Sequence, residues 1–254
     1  MSKEFFKPHP IRYKNSFSFK IRLVFDQQLF TIYRFLKKNL TSLKHGNLLD
    51  IGCGYMPYKH LLNKNIKYYG LDIRESKKFG FDGTNHSQDP FYFTYDGKKF
   101  PFSNNSFDSA LCVEVLEHAE EPLLLIKEMS RILKKNSFLF LTAPWSARVH
   151  HEPFDFYRFT PYTLKKFFTS NNFTVISISP RGNEFSVIYN KLLVLFIVYF
   201  ERLVTPLFFI YFLLIPLIAL LLTIFFILMQ LSSLFGYKSS QSDPLGFNCI
   251  FKKN

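Results

Sequence analysis

Short apolar, β-prone runs alternate with amphipathic segments from residue 47 onward, and that alternation leaves this chain few architectures. "NLLDIG" (47–52) and "KYYGLDI" (67–73) each carry an acid near the end, and "FYFTYDG" (91–97) is aromatic. "FDSALCVEV" (107–115), "SFLFLTAP" (137–144) and "FTVISIS" (173–179) read as buried strands, and "GFNCIFKKN" returns to a strand pattern at 246–254. Continuous apolar strands separated by helices belong to a mostly parallel sheet with helices on both faces. The punctuation agrees. Between the fourth and fifth strands Glu120 and Glu121 lead a helix, Pro122 suits its first turn, and Lys134 with Lys135 close it, which complements the helix dipole. Leu123, Ile126, Ile132 and Leu133 supply its apolar face. Thr160 and Pro161 are placed as cap and first position of a further helix. Ahead of the core, Ile21, Val24, Phe25, Leu29, Ile32 and Leu36 recur at three- and four-residue steps, which predicts one amphipathic helix over 17–40.

The loop after the first strand, "LLDIGCGYMP" (48–57), carries the first chemical information. Gly52 and Gly54 permit a sharp turn and close approach of a ligand. A dinucleotide loop would place a third glycine at 57, where this chain has Pro57, and Asp50 sets a negative charge beside the loop. Both features disfavour a pyrophosphate, and the acid favours an ammonium group. Asp72 follows Gly52 by 20 residues, the usual place for an acid that holds two ribose hydroxyls. The ligand inferred is a nucleoside without phosphates that carries an amino-acid-like end, which S-adenosylmethionine fits. Asp50 and Asp72 also have a plainer reading as strand-end turn acids.

With "GLDI", "YDGKKFPFSNNSFDSALCVEVLEH" and "LLLIKEMSRILKK" added to that loop, the chain resembles the class I S-adenosylmethionine-dependent methyltransferases of the type 11 kind, over roughly residues 46–182 and the last strand. The resemblance implies a Rossmann-like, seven-stranded, mostly parallel sheet that ends in a hairpin-like pair of strands. It implies that Asp50, Gly52, Cys53 and Gly54 border the methionine portion of the cofactor, that Asp72 holds the ribose, that Asp96 and Gly97 flank the adenine, and that Glu114 faces the cofactor pocket. Two departures stand out: Met56 occupies a position where the family often has a small residue and so would crowd the cofactor, and "KKNS" replaces the usual turn before the fifth strand.

Methyl transfer needs position above all, and a hydroxyl acceptor gains from a nearby base. His118, His150 and His151 are the candidates, with Asp155, Tyr157 and Arg158 in the same stretch, "PWSARVHHEPFDFYRFTP" (144–161). His118 could instead pack the start of the next helix, and Asp155 could pair with Arg158 to stiffen the loop. The "H-x-x-P-x-D-x-x-R-F-T" arrangement resembles methyltransferases of glycan or surface-polysaccharide pathways. No metal site is expected, because the histidines lack a cysteine or carboxylate set at ligand spacing. Cys53, Cys112 and Cys249 lie in apolar runs and read as small buried hydrophobes.

Formal net charge is +13, which points to a nucleic acid or an anionic membrane surface. Nucleic acid is the weaker option, since no base-flipping motif or RNA module is present. From Leu203 to Tyr237 the sequence carries no charge. Four regions follow: a basic amphipathic N-terminal region (1–45), a methyltransferase core (46–190), a hydrophobic helical insertion (191–237) and a return to the core with the last strand (238–254). No secretory signal is read at the N-terminus. Flanking strands of one sheet allow zero or two membrane crossings, and two need about 40 apolar residues. Glu201 and Arg202 would sit inside the first span, and Pro206 and Pro216 break the run into helices of roughly 20 Å, short of the roughly 30 Å hydrocarbon core. A monotopic or re-entrant hairpin bent near Pro216 is therefore expected, with Lys191 and Lys238 at the cytoplasmic surface; an oligomer interface or helical lid is the alternative. The function expected is methylation of a hydroxyl on a small, saccharide or lipid-linked acceptor at the membrane. A non-catalytic membrane-tethered scaffold, to which Met56 is the only pointer, and a nucleic-acid methyltransferase are the alternatives.

Overall fold

The computed structural model describes residues 17–74, 89–201, 208–234 and 242–254. Its centre is a seven-stranded sheet formed by β1 (Gly46–Ile51), β2 (Ile66–Ile73), β3 (Tyr92–Tyr95), β4 (Phe107–Val113), β5 (Leu133–Pro144), β6 (Phe173–Arg181) and β7 (Gly246–Lys253). The order is β3-β2-β1-β4-β5-β7-β6. Neighbours from β3 to β5 pair parallel, whereas β7 runs antiparallel to both β5 and β6. The Rossmann-like sheet and its closing antiparallel pair are those expected from the sequence. The order reverses at β1 and β4, so the carboxyl ends of those strands open a crevice, the place where ligands bind in such sheets.

Helices α1 (Phe17–Phe25), α2 (Gln27–Leu40), α3 (Pro122–Ile132), α4 (Pro161–Thr169), α5 (Glu184–Glu201) and α6 (Phe208–Leu234) complete the fold. The single helix expected over 17–40 is two. Asp26 leaves the helical region at φ −93°, ψ 96° and caps α2 through its side chain, which accepts from the Leu29 amide. A short aspartate satisfies an orphan N–H better at a cap than in a helix interior. The face of α2 then packs Ile32, Leu36 and Leu40 against Leu48 and Phe140 on one side of the sheet. On the other side α3 presents Leu125, Ile126, Met129 and Ile132, and α4 presents Leu164 and Phe168. Leu123 is exposed, and Leu133, Lys134 and Lys135 belong to β5, because the chain enters the strand directly from α3. Thr160 caps α4 as expected, accepting from the Thr163 amide, with Pro161 at the first position.

The apolar insertion departs most from expectation. Pro216 lies inside α6 and does not break it. A proline removes one hydrogen bond and crowds the preceding turn, and the many apolar residues on either side carry the helix through that cost. At 27 residues α6 is about 40 Å long, and its Phe212–Ser232 stretch is long and apolar enough to cross a membrane by length and composition. α5 starts at Glu184, ahead of the boundary read from hydropathy. α5 and α6 pack together, with Asn183 Nδ2 donating to Ser232 Oγ at 2.7 Å where the start of one meets the end of the other. Because β6 and β7 are paired, the chain returns to the sheet it left. Pro206 and Lys238 lie outside the described residues.

Candidate active site

The crevice at the switch point holds a cavity of about 610 Å³. Its wall includes Asp50, Gly52, Cys53, Gly54, Asp72, Asp96, Gly97 and Glu114 at one end and His118, His150 and His151 at the other. Every site residue expected from the sequence thus reaches one cavity, because strand ends at a switch point converge however far apart they lie in sequence.

The loop after β1 turns at Gly52, with φ +68°, where a Cβ would stand 2.3 Å from Val115. Gly54, with φ +46°, has open space where its Cβ would lie, so a ligand can approach that backbone closely. Asp72 fixes this conformation: its Oδ2 accepts from the Gly54 amide at 2.9 Å and its Oδ1 from the Ile73 amide at 2.7 Å. Each carboxylate oxygen keeps further acceptor capacity. Asp50 is buried and takes the Tyr68 hydroxyl; burial pushes its pKa up to about 7, the Tyr68 hydrogen bond opposes the rise and Asp72 adds to it. Asp96 is exposed and accepts from the Lys98 and Lys99 amides, which hold its carboxyl below the usual range. Cys53 is buried beside Gly54.

After Gly54 the chain makes turns and the short 3₁₀ segment Lys59–Leu61, and α-helix is absent between β1 and β2. A pyrophosphate loop works through the N–H groups at a helix N-terminus, and that device is missing here. The donor set therefore fits a phosphate-free ligand with hydroxyl groups and a cationic end, with Asp72 for the hydroxyls and Asp50 for the cation. Met56 does not crowd this end. It is absent from the cavity wall and is buried in the α2 cluster, with its Cε 2.6 Å from where a Cβ on Gly70 would stand.

Two carboxylates near the cavity, Glu114 and Glu117, have surroundings that the sequence did not show. Glu114, at φ +53°, lines the cavity, but both its oxygens lie 3.0 Å from Nη2 of Arg181, and Thr142 Oγ1 donates to it at 2.8 Å. Arg181, at the end of β6, is fully buried, and its role had no signal in the sequence. Glu117 is also fully buried in the 3₁₀ turn Leu116–His118, and neither carboxylate oxygen has a hydrogen-bond partner among the described residues. Burial, with Glu114 adding to it, raises its carboxyl well above the ordinary value.

The histidines are assembled by the loop after β5. The Phe156 and Tyr157 amides donate to the Glu117 carbonyl, and His118 Nδ1 lies 2.7 Å from the Phe154 carbonyl. That loop is braced by Arg158, which grips both Asp155 oxygens at 2.5 and 2.7 Å, so the pairing expected from the sequence is present. Asp155 in turn accepts from the His150 amide and lies 3.1 Å from His150 Nδ1. Burial works against ionisation of Asp155, yet the Arg158 and His150 donors hold it down at about 2. Burial lowers His118 to about 4, against the pull of the Phe154 carbonyl, so its ring is neutral at pH 7. The ring centroids of His118 and His150 are 4.8 Å apart, and His151 stands 5.4 Å from each. Glu117 precedes His118 in sequence, and the fold brings His150 to the pair, with one ligating atom each of Glu117, His118 and His150 within 4.8 Å of the others.

Comparison with known proteins agrees with this geometry. Residues 49–141 match the family model described as a methyltransferase domain. An uncharacterized protein of Methanocaldococcus jannaschii is 26% identical over 146 residues, covering 56% of this chain and 61% of its own. A tRNA U34 carboxymethyltransferase of Campylobacter jejuni is 28% identical over 46% of this chain and 41% of its own. Cycloartenol-C-24-methyltransferase 1 of Oryza sativa is 38% identical over 42% of this chain and 32% of its own. The chain thus spans from about one third to about three fifths of these relatives' lengths. Among solved structures, a Galdieria sulphuraria protein assigned as a sarcosine dimethylglycine methyltransferase shares the fold at TM-score 0.53 and 12% identity, over 98% of this chain and 90% of its own. The [4+2]-cyclase SpnF does so at TM-score 0.51 and 15% identity, over 89% of this chain and 80% of its own. From the loop at Gly52 to the strand order, these features agree: residues 49–141 carry a methyltransferase domain, and the sheet is that of the class I S-adenosylmethionine-dependent methyltransferases.

Proposed function

We propose that the chain transfers a methyl group from S-adenosylmethionine to a hydroxyl on a small, saccharide or lipid-linked acceptor at a membrane surface. One observation carries the reading: a single cavity joins the Gly52–Asp72 end to the histidine end. The cofactor, when bound, supplies an electrophilic methyl group. Gly52, Cys53 and Gly54 would border its amino-acid portion, Asp50 would meet its ammonium, Asp72 its ribose, and Asp96 with Gly97 the base. Glu114, held by Arg181, shapes the wall between the two ends. His118, His150 and His151 would receive the acceptor hydroxyl. The test is transfer of labelled methyl from S-adenosylmethionine to three acceptor pools: membrane lipid extract, soluble saccharides and tRNA. Label in tRNA alone would replace this acceptor class with nucleic acid.

Two expected results concern the cofactor. Asp72→Ala removes charge-assisted hydrogen bonds to the ligand and releases the Gly54 amide, so affinity for S-adenosylmethionine falls by about 1.5–3 kcal/mol in calorimetry. The pH dependence follows from Asp50. Its pKa in the free protein is about 7, and an ammonium beside it favours the ionised form. Binding therefore releases a proton below that value, and affinity rises with pH toward 7, by at most about tenfold per unit. Asp50→Asn removes the slope. A flat profile between pH 5.5 and 7 in the unmodified protein would mean that Asp50 does not meet the cation.

The apolar hairpin supports the membrane part of the proposal. Leu213, Leu217, Leu220, Ile224, Ile227 and Leu231 are exposed along α6 at three- and four-residue steps, an apolar stripe with no protein partner among the described residues. The Phe25 ring of α1 lies 5.9 Å from that of Phe226, tilted at 32°, and α1 exposes Ile21, Val24 and Phe25. The paired ends of the hairpin at the sheet favour embedding from one side, with α1 at the interface. In vesicle flotation the chain is expected to float with the lipid, and serine at Leu213, Leu217, Leu220 and Ile224 together is expected to release it. A dimer that dissociates in that variant, without vesicle binding in either, would make the stripe an oligomer interface.

A further inference from the structure

The catalytic reading leaves Glu117 without a role. It is a carboxyl group buried completely, with no hydrogen-bond partner for either oxygen among the described residues. Such a group is costly unless something compensates it. The cations nearest in the fold are already committed, Arg181 to Glu114 and Arg158 to Asp155. What faces Glu117 is imidazole: His118 Nε2 lies 3.7 Å from Glu117 Oε1. His118 Nδ1 points at the Phe154 carbonyl, which only accepts, so the proton of the neutral ring sits on Nδ1 and Nε2 carries a lone pair toward the carboxylate. His150 repeats the arrangement. Its Nδ1 lies 3.1 Å from the Arg148 carbonyl and 3.1 Å from Asp155 Oδ2, both acceptors, so in the neutral ring Nε2 is again the lone pair. A carboxylate or carbonyl on the far nitrogen is how ligating histidines are oriented.

We propose that Glu117, His118 and His150 form a site for a divalent first-row transition metal ion, zinc or a close congener, with an open coordination position on the cavity. Two imidazoles and one carboxylate are a borderline donor set suited to such ions and poorly suited to calcium or magnesium. The ligating atoms lie within 4.8 Å of one another, and an ion with bonds of about 2.0–2.2 Å draws them somewhat closer. The ion supplies the positive charge that Glu117 lacks. His118 and His150 line the cavity while Glu117 closes the site from behind, so the fourth position faces the acceptor end. This deepens the acceptor reading above and rests on it: a hydroxyl bound there is acidified and loses its proton to water at a lower pH.

The test uses metal alone. The full chain, stripped with chelator, is dialysed against Zn²⁺, and separately titrated with Co²⁺ while its visible spectrum is recorded. The expected result is one equivalent of metal, a cobalt spectrum free of a thiolate charge-transfer band, and affinity at least about tenfold lower in both Glu117→Gln and His150→Ala. His150 sits on a partly exposed loop, so that variant keeps the proposal testable should Glu117→Gln melt early. No stoichiometric uptake, a thiolate band, or uptake in both variants equal to that of the parent would overturn the site. Calorimetry with S-adenosylmethionine on the same stripped protein separates the two readings. Cofactor binding without metal uptake sinks only the metal site, and metal uptake without cofactor binding sinks only the methyltransferase reading.

Discussion

Arg181→Ala is expected to cost about 3–5 kcal/mol of folding stability, the penalty for leaving one member of a buried ion pair alone. The guanidinium is fully buried, holds both Glu114 oxygens, and fills space against Gly246, where even a Cβ would stand 2.4 Å from Nη2. Truncation leaves Glu114 facing Thr142 alone and opens a void between β6 and β7. In a chain of this length the loss lowers the melting temperature by about 10 °C or more. The double variant Arg181→Met with Glu114→Gln is expected to recover much of that loss, because neither partner is then an unpaired charge. Denaturant melts of the three proteins measure this. A single variant within about 1 kcal/mol of the parent would show the pair to be dispensable.

His150→Ala is expected to slow single-turnover methyl transfer by about 10²–10⁴-fold, the usual contribution of a positioned group that assists proton removal, with cofactor affinity unchanged. His150 faces the cavity and has an orienting carboxylate in Asp155, itself held by Arg158. Burial takes His118 down to about 4, away from the working pH near which the best catalytic bases lie. Loss of rate together with loss of metal uptake follows from ligation. Loss of rate with metal uptake intact would mean that the imidazole takes the proton itself. A near-normal rate would leave positioning as the whole of the mechanism.

The sheet and the glycine loop were legible because their signals are local. Each strand declares itself within a few residues, and the Gly52–Asp72 spacing is fixed by one β-loop-β unit. The seven-stranded, mostly parallel sheet and its closing pair of strands followed from the family resemblance, and the observed strand order brings the expected aspartates, glycines and histidines to one cavity. The boundaries that failed were failures of local competition. Asp26 could continue a helix or cap one, and Pro216 could end a helix or ride within it; the first caps α2 and the second rides within α6. Tertiary structure alone paired Glu114 with Arg181, 67 residues away, because β6 enters the sheet beyond β7. It alone turned Met56 away from the cavity and brought the loop at 150–158 back onto Glu117. Adjacent to His118 in sequence, Glu117 gave no spacing signal; its meaning comes from complete burial and from a ring that folds over it from 33 residues further along the chain. Sequence determines which groups can do chemistry wherever the backbone is regular, whereas the partner of a buried charge is set by whichever segments the packed core forces together.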